Sequence, residues 1–297
     1  MNYPSGKFLF LVIIAMITWG FSWSSGKYIA GAAPPEVLLF WRFLMTFTSL
    51  VPVVYFSKKG FLIERRSIIF VLLGGIILTF YNYLFFEGLK NGLAGAGGVL
   101  VTTLNPVITF VLSSLLHRHK PVMREKAGIL LGMAGGMVMI HVWTFSPDEI
   151  FQGGNLYFLL AASVWALLSI NGQYSGKSLS PLHFSLYVYG ISTLINLVLS
   201  AGQDMFMVFS LPMHFWLNLF YLSVVSTTFG TTVYFFAASR YGSKIASSFI
   251  FIVPVSAVIG SIIFLGERPG PVILAGGLLA LTAVYLINSG HDNREKY

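Results

Sequence analysis

Long apolar stretches follow one another along nearly the whole chain, separated by short polar breaks. Ten are legible, at about 8–30, 36–56, 67–90, 94–116, 124–143, 154–175, 182–202, 213–238, 244–265 and 271–289. Each is close to the roughly 20 residues that a helix needs to cross about 30 Å of hydrocarbon. The pattern predicts an all-α membrane protein of ten transmembrane helices. The first stretch has some features of a signal peptide, with Lys7 ahead of it and Ala30-Gly31-Ala32 behind. Its apolar region is longer than a signal peptide's apolar core and carries Trp19 and several serines, so it reads as a retained helix.

The pattern also repeats on a larger scale. Phe85 to Ile140 and Phe235 to Ile287 each open on a Phe-Phe pair and reach a basic residue and a glycine (Lys90 and Gly92, Arg240 and Gly242). Each continues into a small-residue-rich apolar run with a central proline, Pro106 or Pro254, and ends on a glycine-rich run. The offset is 150 residues at the Phe-Phe pairs and 148 at the prolines, so the copies differ by a two-residue indel. A period of half the chain is an internal duplication. It divides the chain into residues 1–148 and 149–297, five helices each. An odd number of crossings per unit inverts the second unit relative to the first, an architecture common among alternating-access transporters.

Charge placement sets the orientation. With the N-terminus inside, one face receives Lys7, Lys58, Lys59, Arg65, Arg66, Arg118, Lys120, Arg124, Lys126, Lys177, Arg240, Lys244, Arg294 and Lys296, and the other only Lys27, Lys90 and Arg268. Fourteen against three predicts both termini in the cytoplasm. The same placement explains the net charge of +8. These are topology signals beside anionic lipid, not a nucleic-acid footprint. Composition agrees, with 56% hydrophobic and 9% charged residues among 297 and a mean hydropathy of +0.79. A soluble domain could not hide so much apolar side chain.

Several chemistries are excluded. With no cysteine, there are no disulfides and no thiol chemistry. No phosphate-binding loop points to ATP, and no cofactor is implied. The spans hold no carboxylate pair or histidine cluster for a hydrolase or a metal site, so the chain does not read as an enzyme. A proton relay is missing apart from Glu87 near the outer end and His141. Nor is there the set of intramembrane cations that a phosphorylated substrate would call for.

Trp19-Gly20 in the first helix, Arg42 in the second, the proline-centred fourth and ninth helices, and Pro254 followed by Gly266-Glu267-Arg268 together carry a family resemblance. Over nearly its whole length the chain resembles the drug/metabolite transporter superfamily, in its ten-helix branch built from two EamA-type repeats. The first copy departs from the pattern at His119, thirteen residues after Pro106, where the family usually has Glu. The resemblance implies a secondary transporter of the cytoplasmic membrane, exporting amino acids or related small metabolites. A multidrug or quaternary-amine transporter is the alternative, and a non-transport protein on the same fold a more distant one.

The transport path is sought among intramembrane polar groups, which are expensive and tend to face a cavity. Four polar stripes recur at helical spacing: Thr18, Ser22 and Ser25 beside Trp19; Tyr81, Asn82 and Phe85; Trp165, Ser169 and Gln173; and Ser223, Thr227, Thr231 and Tyr234. Interhelical bonding is the plain alternative for any single hydroxyl. Together they nominate Trp19, Ser22, Tyr81, Asn82, Trp165, Ser169, Thr231 and Tyr234 as substrate-binding residues facing one another near mid-membrane. The aromatic faces suit a zwitterion, an amine or an apolar metabolite.

Pro106 and Pro254 are candidate hinges, since each removes the bond to the carbonyl four residues earlier. Asn105 could cap carbonyls freed by Pro106 or reach the substrate. Arg42, the one charge well inside a span, is expected to be a structural charge, snorkelling outward or paired with Glu36 or Glu87, with a substrate carboxylate as the alternative. Gly128, Gly132 and Gly136 on the fifth helix, answered by Gly276 and Ala280 on the tenth, would allow close packing within the chain or in a homodimer.

Overall fold

A computed structural model describes residues 6–57, 61–116, 122–139, 154–176, 178–241 and 249–289. The described residues are helical, without a strand. In chain order they form α1 (Gly6–Ile29), α2 (Pro35–Phe56), α3 (Arg65–Asn91), α4 (Ala94–Leu116), α5 (Met123–Met139), α6 (Asn155–Ser175) and α7 (Pro181–Leu199). α8 runs without a break through Met213–Phe220, a π-helical Tyr221–Phe229 and Gly230–Tyr241. A 3-10 turn, Phe249–Phe251, leads into α9 (Ile252–Leu265), and α10 is Pro271–Ser289. Six of these, α1 to α4, α6 and α7, are long and apolar enough to cross a membrane. His119, His141 and eight of the seventeen cations counted above lie outside the described residues.

Proline sets several helix starts. Pro35 and Pro181 occupy first helical positions, where a missing N–H costs nothing, and Ser180 caps α7 by accepting from the His183 N–H at 3.4 Å. Side chains then sort by environment in the sense opposite to a soluble helix. On α3 the outward residues are Ile68, Ile69, Leu72, Leu73, Ile76 and Phe80, while Gly74, Gly75, Thr79 and Asn82 are buried. Large apolar groups face out and small or polar ones face in, as expected when the surroundings are lipid.

The strongest helix pairings are α5 with α10, α3 with α6, α1 with α9, α2 with α7, α4 with α6, α4 with α9 and α3 with α7. α8 adds contacts to α1 and α2. Small residues allow the closest approaches. A Cβ on Gly135 of α5 would come within 2.8 Å of the Gly276 carbonyl on α10, and one on Gly98 within 2.3 Å of Ala257 Cβ on α9. Gly132 and Gly136 face Val107 and Leu104 of α4. At Gly132, Gly135 and Gly136 the small-residue surface of α5 is thus covered by the chain's own α4 and α10.

Charges tie down the α3–α4 corner. The two Glu267 carboxylate oxygens accept from the Ala94 and Gly95 N–H groups at 2.9 and 3.0 Å, capping α4 from the loop after α9. The Lys27 ammonium on α1 donates to the Leu89 and Gly92 carbonyls at 2.6 and 2.9 Å. An anion at a helix N-terminus and a cation at a helix C-terminus both complement the macrodipoles. Glu267→Ala leaves two amides uncapped and should cost about 2 kcal/mol, read as a lower unfolding midpoint in detergent. Glu267→Gln, which keeps one acceptor, should fall between.

Candidate functional site

The deepest polar cluster lies where α2, α3, α6, α7 and α8 meet. Arg42, one third of the way along α2, turns into the bundle and donates through Nη1 to Asn82 Oδ1. Asn82 is buried and donates its own amide to the Leu78 carbonyl at 2.9 Å, which fixes the oxygen toward Arg42. The guanidinium lies 5.5 Å from the ring centres of both Phe85 and Phe86. The tyrosines Tyr81 and Tyr189 stand within electrostatic reach of it, and Tyr189 faces Thr227. The Tyr81 ring lies 4.6 Å from that of Trp165.

The outcome for Arg42 differs from the expectation of an ion pair or a snorkelling side chain. Among the described residues it meets no carboxylate within salt-bridge distance. Glu36 instead accepts from Gln203 at 3.4 Å, and Glu87 lines an outer hollow with Lys90. The reason is directional: the α2 face carrying Arg42 is turned toward α3, whereas both glutamates sit at helix ends.

A second cluster joins α1 to α8. The Trp19 indole donates to the Ser226 carbonyl at 2.8 Å and lies 5.4 Å from the Tyr234 ring. A Cβ on Gly230 would strike the indole nitrogen at 2.6 Å, so this glycine makes room for the tryptophan. Along the π-helical turns the Thr227 and Thr228 hydroxyls donate to carbonyls five residues back, at Leu222 and Ser223. Thr46 of α2 also donates to the Ser223 carbonyl at 3.3 Å, and Ser49 bonds Thr228 at 2.6 Å. The widened turn therefore changes which residues share a face. Stepping by four, the sequence groups Ser223 with Thr227, whereas the hydroxyl bond links Ser223 to Thr228.

The nominated residues thus fall into an α3–α6 group (Tyr81, Trp165 and, with Arg42, Asn82) and an α1–α8 group (Trp19, Tyr234). Ser22 and Ser169 donate to the carbonyls of Trp19 and Trp165 in their own helices, at 2.5 and 2.9 Å. Thr231 is part-buried on α8, and Gln173 is exposed. Sequence reasoning missed Trp23, which is buried one turn beyond Trp19, 4.8 Å from Phe85 and 5.8 Å from Phe158. Its place beside Gly97 and Gly98 could have signalled a packed indole only once α4 was known to lie against α1. Pro106 lies inside α4, and Asn105 beside it reaches across to the Ala162 carbonyl at 3.4 Å. The second proline sits differently: the chain passes from 3-10 to α-helix two residues before Pro254.

This arrangement can be compared with known proteins. The EamA-like transporter family matches residues 6–140 and again 152–289. The chain belongs to the EamA-like transporter family. It is 25% identical over 287 residues to a "Probable amino-acid metabolite efflux pump" of Salmonella typhimurium, covering 93% of both chains. It is 23% identical to the "Uncharacterized transporter YyaM" of Bacillus subtilis, covering 90% of this chain and 91% of that one. A solved crystal structure shares the fold with a TM-score of 0.64 at 16% identity, over 99% of this chain and 100% of its own. The molecule is a multi-pass membrane transporter.

For an EamA-family transporter, the hydroxyl bonds within single helices and the aromatic pairs should respond differently to truncation. Ser22→Ala and Ser169→Ala each remove a hydroxyl already bonded to its own helix, and should change stability and flux by about 1 kcal/mol or less. Trp165→Ala removes the face opposite Tyr81 and should slow flux in proteoliposomes by roughly tenfold or more, about 1.4 kcal/mol. Unaltered flux in a well-folded Trp165→Ala would take this residue out of the path.

Proposed function

We propose that the chain is a secondary carrier of the cytoplasmic membrane that exports amino acids or related small metabolites by alternating access. The observation that carries this reading is the aromatic and amide-lined cluster of Arg42, Asn82, Tyr81, Trp165 and Tyr189 in the centre of an EamA-family bundle. The name of the Salmonella relative, an amino-acid metabolite efflux pump, supports the substrate class. The cluster joins two substrate-sized requirements, hydrogen-bond donors and flat apolar faces, in one place. Ser169 joins it from α6, and Trp19, Ser22, Thr231 and Tyr234 complete the path on the α1 and α8 side.

The architecture we infer is two inverted five-helix units, residues 1–148 and 149–297, crossing ten times with both termini inside. Support comes from helix pairing. Exchanging each helix with the one five places away turns α3 with α6 into α8 with α1, α1 with α9 into α6 with α4, and α3 with α7 into α8 with α2. All of these pairs occur, and α2–α7, α4–α9 and α5–α10 map onto themselves. The two separate family matches fall on the same division.

Reporter fusions after Lys120 and Arg268, equivalent loops of the two units, should report opposite sides, cytoplasm and exterior. A shared side would sink the inverted arrangement. In proteoliposomes, saturable flux of amino acids exceeding that of quaternary amines is the expected result, and the reverse preference would favour the multidrug reading. Pro106→Ala and Pro254→Ala each restore a main-chain donor and should slow turnover more than they weaken binding. Unchanged rates in both would leave the prolines with a purely structural role.

A further inference from the structure

We propose that Arg42 anchors a carboxylate of the transported molecule, so that the substrates are amino acids or organic acids with an apolar or aromatic side chain, and not amines. This rests on the carrier reading above and names the chemistry of its site. Arg42 is surrounded by the bundle, yet the residue remains part-exposed, so it is not fully packed shut. A guanidinium has five N–H donors. Among the described residues, one hydrogen bond is made, to Asn82 Oδ1. Two aromatic rings, Phe85 and Phe86, flank the cation, and the ionisable groups near it are the Tyr81 and Tyr189 hydroxyls, which carry no charge at neutral pH.

An uncompensated cation inside a membrane protein is costly, and such a group normally pairs with an anion or marks a substrate path. Here the chain supplies no anion within reach of Arg42 among the described residues. A substrate carboxylate would meet the free edge of the guanidinium through two parallel bonds, the geometry that this side chain favours. The Tyr81 hydroxyl can donate a further hydrogen bond, whereas that of Tyr189 is taken by Thr227, whose own proton goes to the Leu222 carbonyl. The paired Tyr81 and Trp165 rings, 4.6 Å apart, offer the adjoining surface for an apolar side chain or, as a π face, for the ammonium of a zwitterion. An amine lacking a carboxylate would bring a second positive charge beside the first in a region of low dielectric. A phosphate would call for more than one cation, and no second lysine or arginine belongs to the cluster.

The same contacts could act only as a tie between α2 and α3, and the experiment separates the two roles. Purified protein in proteoliposomes is given labelled phenylalanine, leucine and 3-phenylpropionate, with phenylalanine methyl ester and phenylethylamine as matched compounds lacking the carboxylate. Wild type should move at least one carboxylate and prefer it tenfold or more to its matched amine. Arg42→Gln should remove that preference, and Arg42→Lys should keep part of it. Asn82→Asp places a carboxylate where Asn82 Oδ1 now meets Arg42. It should retain or raise the unfolding midpoint while lowering carboxylate flux at least tenfold, an effect that a mere tie would not produce. Should Arg42→Gln fail to fold, Asn82→Asp decides alone. Full carboxylate flux in a folded Asn82→Asp, or an unchanged preference in a folded Arg42→Gln, overturns the anchor. A wild type that moves amines as well as carboxylates also overturns it and leaves the carrier reading standing. A wild type that moves no compound of the panel overturns both.

Discussion

A cation held within an apolar bundle must be compensated by the protein, by water or by a ligand, and the centre of this transporter is arranged around that constraint at Arg42. Insertion of an arginine near the middle of a membrane helix costs about 2.5–3.5 kcal/mol, and more where water cannot follow. Asn82 offsets part of it, and does so because its own amide is held by the Leu78 carbonyl with the oxygen facing the guanidinium. Phe85 and Phe86 contribute π faces from the next turn of α3. Four polar or aromatic choices within two turns of one helix, Tyr81, Asn82, Phe85 and Phe86, thus surround a single group on its neighbour. Among the described residues the remaining donors of Arg42 meet no acceptor.

The charges at the α3–α4 corner follow a different logic. Lys27 and Glu267 are consumed by main-chain groups, each at the helix end whose dipole suits it. They come from α1 and from the loop after α9, and so bind parts of the chain far apart in sequence into one corner. Such contacts fix structure. The two settings differ: Lys27 and Glu267 each bond two main-chain groups, whereas among the described residues Arg42 has one amide partner.

Much of the fold was legible because hydrophobic run length and small-residue spacing are local properties. Helix starts at Pro35, Pro181 and Pro271 could be read from single residues, whereas the four-residue step of Gly128, Gly132 and Gly136 did not single out Gly135, the glycine that meets Gly276 of α10. The register of α8 could not be read, since nothing in Tyr221–Phe229 announces a π-helix. Its hydroxyls bond carbonyls five residues back, while Trp19 of α1 binds the Ser226 carbonyl and Thr46 of α2 shares the Ser223 carbonyl with Thr228, and those donors are distant in sequence. The site was legible as a set of residue types and not as a set of contacts. Trp19 and Trp165 looked equivalent, and each does stand beside a tyrosine, but the partner of Arg42 depended on which way α2 faces. Glu36 and Glu87 were nearer by charge, and Asn82 was nearer in space.

That orientation also breaks the symmetry of the molecule. The offset of 146 residues that relates Trp19 to Trp165 and Pro35 to Pro181 relates Arg42 to Val188. The offset of 150 that relates Phe85 to Phe235 relates Asn82 to Thr232. The duplicated frame keeps its aromatic pairs in both copies, Trp19 with Tyr234 and Trp165 with Tyr81, but the cation and its amide belong to the first copy alone. A symmetric frame suits alternating access, because the same contacts can close on either side at similar cost. A symmetric pair of cations would repel across the cavity and hold two anions at once. On the proposed anchor reading, a cation in one copy only would hold one carboxylate at a time, while the equivalent position in the second copy, Val188, packs against Gly74 of α3 and brings no second charge.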